Sequence, residues 1–274
     1  MKNFFGIDTP QTNRVEKHTY RILELLERYN TKGTFFIVGK VAEDYPEVVY
    51  DIHNAGHEVG IHGYNHLKYD QIDYQTAYNE IHDTKKLIED TISSEVKGHR
   101  APAFSINKNT FWVLDILADA GFLYDSSIVP AKGPSYGYPG FNQEISEIKT
   151  NSGKKIIEVP LSVTNFLGKD IPAIGGSYLR LLPFYLTNRF FKKIMKNRPV
   201  IFYMHPYEID NERYPAYYFE ALKKQPWRVR QNMKSKWINR KTVYTKIECL
   251  LNNYSFNTID QLIKDEFGRS MNSN

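Results

Sequence analysis

Two rhythms of apolar positions alternate along the chain. Ile22, Leu25, Leu26 and Tyr29 fall at i, i+3, i+4 and i+7, one face of a helix. Residues 33–39, "GTFFIVG", are then a short apolar run between glycines, which predicts a buried strand. The next helix is expected from Pro46, a favoured first-turn residue, to Gly56, with "EVGIH" as the strand after it. Ala77, Ile81 and Ile88 share one side of a third helix after Asp73, and "VKGHRAP" supplies a strand stopped by proline. A fourth helix from about Asn109 turns Leu114, Leu117 and Ala118 inward and ends at Gly121. "FLYDSS", "KIIEVPLSV" and "PVIFYMHP" are further strand candidates, the last two separated by a basic, aromatic helix over 182–195. Repeated βα units predict an α/β fold with a mainly parallel sheet, open or closed into a barrel. The stretch 215–240, rich in Lys, Arg and aromatics, reads as an ordered insertion or loop, and elements around 243–251 and 258–263 close a single domain.

Composition narrows the class. With 274 residues, 41% hydrophobic and 24% charged, the chain suits a globular protein with a substantial core. Lys and Arg number 36 against 31 Asp and Glu; the excess reads as mild and scattered, with no block that argues for nucleic acid. Cys249 is the only cysteine, which excludes an internal disulfide and a thiolate metal cluster and suits a cytoplasmic location. No leader-like start and no run of about 18 apolar residues is expected to enter a membrane. Aromatic residues reach 14%; most belong in the core, although such rings also stack on sugars.

Ionisable residues collect where the strands end. His62 ends "EVGIH" and His66 follows in the loop; Arg100 ends "VKGHR", Asp125 ends "FLYD" and His205 ends "VIFYMH". In α/β barrels the loops after the strands' C-terminal ends share one face, where active sites lie, so these residues are expected to converge. Each alone has an ordinary explanation. His53 and His57 repeat the same spacing, so His62 and His66 stay open between metal ligation and a polar loop. Arg100 reads equally as a structural ion-pair partner, Asp125 with Ser126 and Ser127 as a turn cap, and His205 as a half-buried histidine.

Five motifs in order, "TFFIVG", "GHEVGIHGYNH", "HRAPAFSI", "YDSSIVP" and "VIFYMHPYEID", resemble the polysaccharide deacetylase family, of the NodB-like carbohydrate esterase type. The resemblance runs from about Arg14 to Ile263. "GGSYLRLLP", the "HPYEID" ending and "WRVRQNMKSKW" are similar to the bacterial exopolysaccharide-locus branch, whose C-terminal extension would here be 211–274. The resemblance implies a distorted (β/α) barrel that hydrolyses N-acetyl groups on a polysaccharide with a divalent metal, usually zinc. It makes His62 and His66 the metal ligands, with Gly63 where the family commonly has Ser or Thr. His205 would protonate the departing amine, Arg100 would orient the catalytic carboxylate, and Asp125 would position His205 or line the site. Tyr64, Phe104 and Tyr207 are the expected sugar-contacting rings, Pro102 would shape the groove wall, and a backbone N–H near Tyr64 would hold the tetrahedral charge.

One family motif is not met. Members begin with a strand ending in Asp-Asp or Asp-x-Glu-Asp, which supplies a general base and a metal ligand, and no such pair precedes Arg14. The expectation is a chain truncated ahead of that motif, a barrel without its first strand, Asp8 as the one substitute, and weak metal binding and activity. The alternatives are a catalytically silent carbohydrate-binding protein and an amidase for small amides. "SYLRLLPFYLTNRFFKKIMK" mixes cations and aromatics as membrane-surface helices do, but a barrel helix with a basic outer face is the expectation, so membrane association would be at most peripheral.

Overall fold

The computed structural model describes residues 13–133 and 136–271. Asp8 lies outside the described residues. Helix α1 (Arg14–Arg28) leads into β1 (Thr34–Ile37), and α2 (Gly39–Asp44) and α3 (Pro46–Asn54) lead into β2 (Glu58–Ile61). Helix α4 (Tyr74–Ile92) precedes β3 (Gly98–His99), and α5 (Val113–Asp119) precedes β4 (Tyr124–Asp125). Two hairpins follow, β5 (Ser146–Lys149) with β6 (Lys155–Glu158) and β7 (Thr164–Phe166) with β8 (Lys169–Ile171). Helices α6 (Gly176–Leu181), α7 (Phe184–Ile194), α8 (Ala216–Lys223), α9 (Trp227–Ser235), α10 (Arg240–Asn253) and α11 (Ile259–Met271) complete the chain. The main sheet runs β1-β2-β3-β4-β6-β5, parallel except for β5. Strands β5, β7 and β8 were not anticipated, because their exposed, polar residues carry no apolar rhythm.

Apolar faces account for the helices. Ile22 and Leu25 of α1 are buried, and α4 buries Ala77, Ile81 and Ile88 beneath an N-cap in which Asp73 accepts the Thr76 N–H at 2.8 Å. Helix α7 buries Thr187, Phe190, Phe191 and Ile194 inside the protein, so the stretch that suggested a membrane surface spends its apolar face on the core. Among the described residues no helix is long and apolar enough to cross a membrane.

The expected strand "PVIFYMHP" is not a ladder strand. Its one bridge among the described residues is an isolated parallel one, Tyr203 to Gly175, outside both sheets. The Ile201 N–H donates to Ser162 Oγ at 2.8 Å instead of to a neighbouring backbone carbonyl. Gly175 has φ +123°, and a Cβ there would stand 2.2 Å from the Tyr203 carbonyl oxygen, so this close approach requires glycine. The barrel is therefore not closed by hydrogen bonds along this seam.

Register decides which side chains meet. Ile37, Ile61, His99, Asp125 and Glu158 form one row across β1, β2, β3, β4 and β6. Because side chains alternate between faces, the residues one step on, His62, Arg100 and Ser126, share the opposite face with Phe36 and Tyr124. That inner face packs Tyr124 with Val159, Ile201, Ile259 and Ile263. Helix α11 closes its lower end: Thr34 Oγ1 accepts the Ile259 N–H at 2.9 Å and Glu58 accepts the Asp260 N–H at 3.1 Å. The strands' N-terminal ends are thus covered, and chemistry is left to the other end.

Candidate active site

His62 continues β2 by one residue, its N–H donating to the Ile37 carbonyl at 2.8 Å. Its Nδ1 lies 2.7 Å from the Arg100 carbonyl oxygen, so Nδ1 carries the proton and donates. The Nε2 lone pair is thereby left for a ligand. His66 sits at φ +59°, and the two rings stand 4.9 Å apart at 75°. Glu80, buried on α4, builds the turn between them: its carboxylate accepts the Tyr64 N–H at 2.8 Å, the Asn65 N–H at 2.8 Å and Asn65 Nδ2 at 2.7 Å. Gly63 has φ +68°, and a Cβ there would meet Pro102 Cγ at 3.1 Å, so this turn favours the glycine.

Burial, then the neighbouring His66, holds His62 well below the usual imidazole range, and burial brings His66 down to about 4. A charge on His205 lowers both further. Neutral imidazole is the form that ligates a metal, so donor type and protonation at His62 and His66 both fit a divalent ion. Catalytic zinc usually takes three protein ligands. Among the described residues no third His, Cys, Asp or Glu joins the pair.

His205 opens a short turn whose side chains hold it. Its N–H donates to Glu208 Oε2 at 3.0 Å, and its Nδ1 lies 3.6 Å from the same oxygen. Glu208 is fully buried. Burial alone would raise its carboxyl, but the contact with His205 and the Arg180 charge bring it below the usual range. Arg180, buried on α6, reaches Glu208 at 3.4 Å and also donates to the Ser235 and Ile238 carbonyls, tying the end of α9 to this turn. Tyr207 stacks on the His205 ring at 5.2 Å, Tyr203 stands edge-on to it at 5.9 Å, and Phe104 lies 5.1 Å from Tyr203. Ala103 and Phe104 both take positive φ, +53° and +54°, a strained corner of the kind that collects at functional sites.

Of the expected residues, His62 and His66 stand together, and His205 stands with Tyr207 and, through Tyr203, with Phe104. Three others do different work. The Tyr64 ring packs over Gly39, its hydroxyl donates to Glu43 at 3.1 Å, and its N–H is taken by Glu80. Arg100 donates to the Ser126 carbonyl at 2.8 Å and the Ser126 hydroxyl at 2.7 Å and lies over the Phe36 ring; burial brings its guanidinium down to about 10. A carboxylate is not among its hydrogen-bond partners in the described residues. Asp125 lies in the row that faces the helices, one residue out of step with Arg100 and Ser126. It accepts from His99 Nδ1 and Ser127 Oγ, each at 2.6 Å, rather than meeting His205. Glu80 was missed although it falls on the apolar side of α4 at 77, 80, 81, 84 and 88, and Glu208 was missed although it stands three residues after the cap residue His205, the capping-box spacing.

Known proteins share this fold. A Mycobacterium smegmatis protein described as a polysaccharide deacetylase has the same fold, with a TM-score of 0.57 over 92% of this chain and 78% of that one, at 20% identity. The fold is thus that of the polysaccharide deacetylases. Residues 8–124 match the family model "Polysaccharide deacetylase" and residues 126–264, more than half the chain, match "Domain of unknown function (DUF3473)". The chain carries a polysaccharide deacetylase segment followed by the DUF3473 region, and by the extent of that second match it belongs to the DUF3473 family. Peptidoglycan-N-acetylglucosamine deacetylase of Bacillus cereus is 33% identical over 33% of this chain and 33% of its own length. Peptidoglycan deacetylase of Helicobacter pylori is 30% identical over 40% of this chain and 36% of its own. The chain matches these curated relatives over about a third of their length.

Proposed function

We propose that the chain hydrolyses N-acetyl groups on an N-acetylated polysaccharide or oligosaccharide with the help of a divalent metal, zinc by donor type. The observation that carries this reading is the His62–His66 pair, its rings 4.9 Å apart, with the His62 Nε2 lone pair left free by the bond from Nδ1 to the Arg100 carbonyl. His62 and His66 would hold the metal, which when bound polarises the acetyl carbonyl. His205, fixed through its N–H by Glu208, gives a proton to the sugar nitrogen as the C–N bond breaks, so that acetate and a free amine result. Phe104, Tyr203 and Tyr207 offer ring surface for the sugar and keep bulk water from the breaking bond. Arg100 acts from beneath: its carbonyl sets the His62 tautomer while its guanidinium pins Ser126. A carboxylate takes the proton of the attacking water, and Asp8, where the deacetylase match begins, is the residue we assign to it.

The test is acetate release from N-acetylated glucosamine oligomers by purified protein, with zinc and with chelator. Zinc-dependent release that is lost in His205→Asn supports the reading; release that ignores chelator and that substitution sinks it. A catalytically silent carbohydrate-binding protein is the second reading, favoured because only two imidazoles meet among the described residues. It requires glycan binding that survives His205→Asn, with no acetate released by either form.

A further inference from the structure

Residues 221–247 contain nine Lys and Arg and no Asp or Glu. The whole chain carries only +5, so the remainder is net acidic. The positive charge is therefore concentrated, not scattered as composition suggested. This segment forms the end of α8, all of α9 and the first half of α10. Helix α9 buries Met233 and packs Val229 against a small cluster with Tyr218 and Leu222. Trp227, Arg230 and Lys234, spaced three and four apart, stand together on the opposite, exposed face. Trp227 is 62% exposed, and Ile238, one turn further on, is 47% exposed. Lys224, Arg228 and Lys241 are exposed beside them. Among the described residues none of Lys224, Arg228, Arg230, Lys234 and Lys241 forms an ion pair, whereas Lys154 and Lys155 elsewhere do.

A surface built only for solubility intersperses both signs and hides its large apolar groups. This one presents a single sign with an indole and an isoleucine between the charges. We propose that α9 and its flanking turns dock the protein on an anionic lipid surface. Trp227 and Ile238 would enter the boundary between headgroups and acyl chains, and Arg230, Lys234 and their neighbours would meet the headgroup phosphates. A soluble polyanion needs the cations alone, and the exposed Trp227 and Ile238 favour lipid. The inner side of the same segment reaches the candidate site: Lys236 and Arg240 lie 5.4 and 5.1 Å from the Tyr207 ring centre, and Tyr207 stacks on His205. Docking would thus hold the site beside the lipid surface.

Co-sedimentation of the full chain with vesicles tests this, using phosphatidylcholine alone or mixed with phosphatidylglycerol. Binding is expected only with phosphatidylglycerol, and weaker as salt rises. Each cation near such a surface is worth about fivefold in partitioning, so Arg230→Glu with Lys234→Glu should lower it about 30-fold or more. Trp227→Ala should lower it severalfold. Lys149→Glu with Lys154→Glu, on the β5–β6 hairpin, changes net charge equally and should leave binding within about twofold, since that hairpin is outside the docking face. All three variants alter exposed side chains, and circular dichroism checks their fold. No binding to the anionic vesicles overturns the proposal, as does an equal loss in the hairpin variant. Capture by soluble polyglutamate without vesicle binding overturns it in favour of a polyanion site.

Discussion

The chain up to Asp125 and the chain after it hold their histidines by different means. In the first region a parallel ladder does the positioning: the Ile37, Ile61 and His99 register carries His62 and Arg100 onto one face with their backbones already bonded. In the second region His205 has almost no ladder behind it. One bridge at Tyr203, the Glu208–Arg180 pair and the contacts of Asp210 with Arg14 and with His18, the latter at 3.2 Å, hold its turn. Regular backbone fixes His62, and buried charge fixes His205.

Separating the two jobs gives the largest expected effect. His205→Asn should lower kcat about 10²–10⁴-fold while leaving zinc affinity unchanged, and His62→Ala should lose zinc as well as turnover. Zinc content by atomic absorption beside kinetics decides this, and a His205 variant that also loses metal would erase the division. Next come the two buried acids. Glu80→Ala strands three donors of the His62–His66 turn and should cost about 3 kcal/mol in denaturant unfolding, with zinc affinity down about 10–100-fold. Glu208→Ala strands Arg180 and the His205 N–H and should cost a similar amount, about 3 kcal/mol, but leave zinc affinity alone.

Acidity should act chiefly on the first region. The His57 Nδ1 accepts the Gly33 N–H at 3.2 Å, and burial, then the Lys32 charge, brings this imidazole down to about 4. An unfolded histidine titrates near pH 6.5, so the unfolded chain takes up the proton first. The stabilisation is full above that value and is lost as pH falls toward about 4, by up to about 3 kcal/mol. His57→Gln should flatten that limb of the stability profile, measured by urea unfolding, and an unchanged limb would remove His57 from the account. Smallest should be the catalytic effect of Asp125→Asn. Because Asp125 bonds His99 and Ser127 on the helix-facing side, melting temperature should fall while the pH profile of kcat keeps its shape. A shifted profile would put Asp125 back beside His205.

The same contrast explains what could be read beforehand. Ile22, Ile81 and Leu114 announce their helices because burial of one face imposes a period, and "EVGIH" ends where the ladder ends. Asp125 was misplaced because a strand end specifies a location, whereas the face depends on register, and one residue reverses it. "PVIFYMHP" looks like a strand because Ile201 and Phe202 are needed for packing, yet its amides find side-chain partners. The charge on 221–247 was diluted in the whole-chain total until helix geometry separated its exposed side from its buried one.

The seam at Tyr203 and Gly175 has a mechanical consequence. A wall fastened at one point yields before a wall stitched along its length. Deuterium should enter the Gly176 amide, which bonds Tyr203, well before the Arg100 amide, which bonds Ile61 inside the ladder. Opening would then begin on that side of the fold.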